Sequence, residues 1–183
     1  MKNQMMKSLK VAPAAVLGIT LLFGQHSAAQ QPSTPQNGPE LGEQVRHELV
    51  MLPFYSVFDN FEYAVDGDVV TLAGQVMHPR LKADAEAVVK RMERVSQVVN
   101  NIEVLPLSTS DDWIRRMAYR TLYASNSPLS RYGWGAVPPI HILVKNGHIT
   151  LAGVVDRESD KTIATILMKN IPGVFSVTNS LKA

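Results

Sequence analysis

Thr71-Leu72-Ala73-Gly74 returns as Thr150-Leu151-Ala152-Gly153, 79 residues further along the chain. The same offset carries Val76 onto Val155, Lys82 onto Lys161, Ala85 onto Ala164 and Val95 onto Val174. It also sets Val98 on Val177 and Asn100 on Asn179, while Phe61, Tyr63 and Val65 fall on Ile140, Ile142 and Val144. Apolar character kept without a gap over about forty residues marks a duplicated module, and repetition at a fixed period decides the architecture before any local reading.

In the first copy, Leu41, Val45, Leu49 and Leu52 recur at helical spacing, and Pro53 ends that helix. Strand alternation follows, with Phe61, Tyr63 and Val65 on one face and Glu62 and Ala64 on the other. Gly67-Asp68 reads as a two-residue hairpin turn that wants Gly first, and Val70, Leu72 and Val76 continue the buried face on the returning strand. Pro79 suits the first turn of a second helix, with Leu81, Ala85, Val88, Val89 and Met92 inward. Residues 98–104 read as a third strand. A glycine inside a strand marks close packing or a bend, so the Thr-Leu-Ala-Gly strands are read as a folding signature and not as ligand contacts.

The second copy repeats the order of helix, strand, strand, helix, strand. Ser110 or Asp111 is expected to cap a helix running to about Ala124, with Asp111 and Asp112 at the positive end of its dipole. Asn146-Gly147 is the strongest hairpin signal in the chain and fits a type I′ turn. The register it sets places Lys145 opposite His148 and His141 opposite Ala152. A helix over 158–171 stops at Pro172-Gly173, and residues 174–181 form the last strand. Aligning the two first helices needs an offset of 73, so the second copy has a loop six residues longer before its first strand, holding Arg131-Tyr132-Gly133-Trp134-Gly135. The expected fold is α+β: two tandem αββαβ modules, at 40–107 and 110–183.

Residues 1–29 read as a secretory signal peptide: Lys2, Lys7 and Lys10, a mostly apolar run over 11–23, and the small-x-small site Ser27-Ala28-Ala29. That run is short of the roughly 20 residues a bilayer span needs, so cleavage after Ala29 is expected rather than anchoring. Residues 30–39, rich in Pro and Gln, read as a disordered leader. The chain has no cysteine, hence no disulfide and no thioether anchor. Residues 30–107 carry 6 basic and 11 acidic side chains, whereas 108–183 carry 9 and 5. Such asymmetry points to an interaction surface on one half.

The Asn-Gly hairpin, the Thr-Leu-x-Gly strand and the Gly-Val-x-x-Val-x-Asn run at Gly173, Val174, Val177 and Asn179 together resemble the BON domain. Copy one departs from the pattern with Gly67-Asp68 in the turn and Arg94 where copy two has Gly173. Two copies resemble the dual-domain periplasmic proteins of that family. The resemblance implies a small three-stranded sheet with two helices on one face. It also implies a periplasmic location, a role in envelope integrity or stress tolerance through phospholipid binding, and no catalysis.

No catalytic constellation is visible. The chain has no cysteine nucleophile, no Gly-x-Ser-x-Gly and no phosphate-cradling loop. His141 and His148 share a strand face without meeting, and they are read as solvated rather than as metal ligands. No cofactor and no nucleic-acid partner is expected. The informative element is the first helix of copy two. At about 100° per residue, Ile114, Ala118, Thr121 and Leu122 form one face, and Trp113, Arg116, Tyr119, Arg120 and Tyr123 gather on the other. Tyr and Trp favour a bilayer interface, and arginine adds attraction to anionic head groups. The same face would equally suit packing on the other module or on an envelope protein partner. Arg131, Tyr132 and Trp134 on the longer loop complete the candidate surface, with Trp134 placed to insert into an interface or to fold back as a lid.

Overall fold

Each hairpin forms where the turn chemistry dictates it. In the computed structural model, which describes residues 37–183, strands β1 (Asn60–Asp66) and β2 (Val69–Val76) close around Gly67, whose φ is +62°. Strands β5 (Ile140–Lys145) and β6 (His148–Val154) close around Asn146 and Gly147, at φ +51° and +76°. Positive φ at both central residues is the type I′ signature, and its twist matches that of the flanking strands. The expected register holds: Lys145 pairs with His148 and His141 with Ala152.

Helices α1 (Asn37–Val50), α2 (Pro79–Lys90), α3 (Thr109–Tyr123) and α4 (Glu158–Lys169) complete the two modules in the expected order. Helix α1 begins at Asn37, inside the stretch read as a leader, because a proline in the first turn forfeits no intrahelical bond. The signal-peptide reading and the rest of the leader lie outside the described residues. The second sheet has three strands, with β7 (Ser176–Lys182) parallel to β6. In the first, the third strand is divided into β3 (Gln97–Asn100) and β4 (Glu103–Val104), both parallel to β2. Asn100 and Asn179 do the same work in the two copies. Each donates from Nδ2 to the carbonyl of Lys82 or Lys161, at 3.0 and 2.8 Å, and so ties the last strand to the second helix.

Gly74 and Gly153 lie at φ +102° and +116°, and a Cβ on either would sit 2.1 or 1.9 Å from the carbonyl oxygen of Asn60 or Pro139. The repeated glycine is therefore a bend with backbone pressed against it. Leu41, Val45, Leu49, Leu72, Leu81 and Ala85 fill the first core. Ile114, Ala118, Leu122, Ile142, Leu151 and Met168 fill the second.

The described residues form one compact unit, and the joint between the modules is made by the segment after α1. The Val57 carbonyl accepts a hydrogen bond from the Ile142 N–H at 2.8 Å, and Val57 is buried in the second core. Asp59, also buried, accepts from the Ser56 N–H, the Ser56 hydroxyl and the Met77 N–H, at 3.0, 2.6 and 2.7 Å. Lys145 pairs with Glu103 nearby. His141 corrects the sequence reading: it is not solvated but lies beneath Tyr55, with ring centroids 5.6 Å apart. Leu143, on the same strand face, is buried too.

Candidate functional site

Helix α3 is held in rotation by its polar residues as firmly as by its apolar ones. Its N-cap is Ser108, whose hydroxyl accepts from the Asp111 N–H at 3.2 Å, so neither Ser110 nor Asp111 caps it. Asp111, 1% exposed, turns inward instead and accepts from the N–H groups of Asn146 and Gly147, both at 2.8 Å. Arg115, 2% exposed, donates to the Val144 carbonyl at 2.5 Å and to Asp112 at 2.6 Å. With Ile114, Ala118 and Leu122 in the core, the remaining face is fixed outward.

That face is not one patch. Arg116 and Arg120 are exposed one turn apart, and neither forms a hydrogen bond or ion pair with the described residues. Tyr119 stands between them, partly exposed, with the Phe58 ring 6.3 Å away. These four residues line a shallow groove of about 220 Å³. Tyr123 lies beneath: its ring is edge-on to Tyr119 at 5.1 Å and its hydroxyl donates to the Ile140 carbonyl at 2.6 Å. Burial pushes its phenol pKa well up, and it is a structural residue. Trp113 lies about 15 Å along the helix from Tyr123. There it lines a separate groove of about 690 Å³ with Ile114, Gly147, Pro172 and Phe175.

The longer loop is a built element. Residues Ser130–Trp134 form a 3₁₀ turn, and a Cβ on Gly133 would lie 3.1 Å from that of Tyr123, so the loop does pack beside the helix end. Tyr132 is only 8% exposed; its hydroxyl donates to Asp160 at 2.8 Å and accepts from the Asp156 N–H at 2.7 Å. Arg131 pairs with Asp160 and Asp156, and its guanidinium pKa is raised chiefly by the bond to Asp160. Burial pushes the Asp160 carboxyl up, but Tyr132 and Arg131 outweigh it and hold the group below the usual carboxylate range. Tyr132 and Arg131 therefore staple the loop to the start of α4. Trp134 remains, 89% exposed and standing clear. Of the eight residues singled out in the sequence, Arg116, Tyr119 and Arg120 share one groove. Trp113 and Trp134 stand apart from it, and the other three are engaged internally. Phe58 and Phe175 were missed.

The site offers cationic and aromatic contact. Among the described residues no group of three or more histidines or carboxylates could hold a metal, and no described helix is long and apolar enough to cross a membrane. A groove of about 970 Å³ between α1 and α2 is lined by Glu40, Glu43, Glu48 and Glu93 with two arginines, and its charge is opposite to that of α3.

A tandem pair of αββαβ modules with such a surface is a binding protein in architecture. The family model for the BON domain matches residues 56–106 and 110–183, and the chain belongs to that family. The BON family is one of non-catalytic binding domains, typical of envelope or periplasmic proteins. Among solved structures, the chain resembles the C-terminal domain of CdsD, a structural protein of the type III secretion system of Chlamydia trachomatis. Identity is 14%, with 78% of this chain and 96% of that one covered, at a TM-score of 0.30. A second CdsD structure from the same organism matches at 15% identity over 78% and 91% of the chains, with a TM-score of 0.28. No curated protein matches.

Proposed function

We propose that this is an exported periplasmic protein, its signal peptide cleaved after Ala29, that binds anionic phospholipid surfaces through module two and supports envelope integrity under stress. One observation carries the reading: Arg116 and Arg120 sit one turn apart, exposed, beside Tyr119, with no acidic partner among the described residues. Arg131 of the longer loop, by contrast, is neutralised internally by Asp156 and Asp160. Arginines left unpaired next to an aromatic ring match a head-group layer, where each basic residue contributes about 1 kcal/mol. Trp134 supplies an apolar contact whose contribution does not depend on charge.

Co-sedimentation with vesicles tests the reading. Arg116→Glu with Arg120→Glu removes two attractive charges and adds two repulsive ones, about 4 kcal/mol in all, or nearly three decades of affinity. Binding to vesicles containing anionic lipid is expected to vanish while the far-UV spectrum stays that of the parent, since neither side chain enters the core. A double variant that binds like the parent would refute the assignment. The larger groove of Trp113 and Phe175 favours a second reading, a protein-binding adaptor in the envelope. In that case a recoverable protein complex survives the double substitution and is lost with Trp113→Ala.

A further inference from the structure

His141 occupies an unusual place for a titratable group. It projects from β5 into the joint between the modules, under the segment that connects α1 to β1. The Tyr55 hydroxyl is 3.5 Å from its Nε2, and its Nδ1 is buried with no hydrogen-bond partner. A neutral imidazole can leave its acceptor nitrogen unpaired at modest cost. An imidazolium must donate from both nitrogens, and here the second proton would face only the nearby Asp59 and Ser56 carbonyls, neither of which is hydrogen-bonded to Nδ1 in this arrangement.

The neighbours do not change that balance. Above it, the Tyr55 phenol is pushed up to about 12, first by burial and then by Asp59, so it stays neutral and cannot act as a counter-ion. The Asp59 carboxylate acts on the ring through its charge, and it is already committed to Ser56 and Met77. Across the sheet, β6 presents Ala152 and Gly153. On the same strand face Lys145 pairs with Glu103, whose carboxyl is held down by Lys145 and Gln75. Burial lowers the His141 pKa, and the Asp59 and Ser56 backbone with the Asp59 charge oppose the shift without cancelling it.

The same segment touches the candidate site. Four residues along from Tyr55 on this short stretch, Asp59 anchors it; between them, Val57 bonds the β5 edge and Phe58 reaches Tyr119 and lines the arginine groove. We propose that His141 is an acid-sensitive latch between the modules: on taking up a proton it releases the segment over β5 and withdraws Phe58 from the groove of Arg116, Tyr119 and Arg120. The consequence for the groove rests on the reading of that groove as the lipid-binding surface; the latch itself does not. The sign follows from linkage. The closed form prefers neutral His141, so it is favoured above the ordinary histidine range, and the open form, which binds the proton more tightly, gains as pH falls below about 6.5. An exported protein meets such changes directly.

The chain has no cysteine, so Ala87→Cys on α2 and Thr178→Cys on β7, both exposed, give one dye pair reporting the distance between modules. Energy transfer in the full-length protein is expected to change between about pH 7.5 and about pH 5, while the far-UV spectrum stays constant. His141→Phe keeps a ring against Tyr55 and should flatten the response; His141→Gln serves as a second non-titrating variant. An unchanged signal in the parent, or the same change in both variants, overturns the latch. With vesicles containing anionic lipid, affinity should rise severalfold on acidification in the parent and not in His141→Phe. If transfer changes but affinity does not, the link to the groove is overturned. If transfer changes and no vesicle binds at any pH, the latch stands and the lipid reading is what fails.

Discussion

Replacing Asp111 with alanine should cost about 3 to 4 kcal/mol of stability, more than any surface charge in this chain would suggest. The carboxylate is 1% exposed and accepts from two backbone N–H groups at 2.8 Å. Gly147 is buried, so its N–H would be left without water, at about 2 kcal/mol; Asn146 is exposed and recovers solvent, for about 1 kcal/mol. Losing a negative charge in the first turn of α3 adds roughly 0.5 kcal/mol. For a unit of this size the total corresponds to a drop in midpoint of roughly 10 °C. Asp111→Asn keeps one acceptor and should lose about half as much. Urea and thermal melts measure the total, and hydrogen exchange at Asn146 and Gly147 locates it. A loss under about 1 kcal/mol for the alanine variant, or unchanged protection at Gly147, would refute the claim that this side chain holds the hairpin against the helix.

Asp160 makes the loop of module two acid-labile. Its carboxyl pKa is depressed in the folded chain, so its contribution is fully present above the ordinary Asp value near about 3.9 and is lost as pH falls through the lower, folded one. Acid titration of loop amides should show that dependence in the parent and not in Asp160→Asn. Trp134→Ala should leave the melting curve unchanged, because the ring is 89% exposed, while weakening vesicle binding roughly tenfold or more through lost burial. That loss should persist in high salt, unlike the loss from Arg116 and Arg120.

The sequence carries the fold because its signals are local. A glycine ahead of Asp68 in one turn and Asn146-Gly147 in the other set both hairpins, and the alternation of Ile140, Ile142 and Val144 sets which face is buried. The helical face of Arg116, Tyr119 and Arg120 is legible for the same reason: it follows from spacing alone. What could not be read is where a side chain finds a partner far along the chain. Tyr132 has the composition of a loop tip, but Asp160 takes it, and nothing near it in sequence announces that bond. His141 alternates like a surface residue and is covered only because Tyr55 comes from the other module. Ser56-Val57-Phe58-Asp59 did carry a signal, a Ser-x-x-Asp pattern that closes on itself through the Ser56 hydroxyl. It marked an ordered turn, though not what the turn would cover.

The bond from Ile142 to Val57 has a bearing on how the protein survives at high concentration. Strand β5 is one of the two margins of the second sheet, and a row of unpaired backbone groups there would invite another chain to add a strand. Val57 fills the middle of that margin with the chain's own backbone, a plug made of a single peptide group. Cross-strand addition at this edge, a first step toward an amyloid-like stack, must therefore displace a buried valine before it can begin. The turn that joins two modules thus also shields this edge from the chain's own copies.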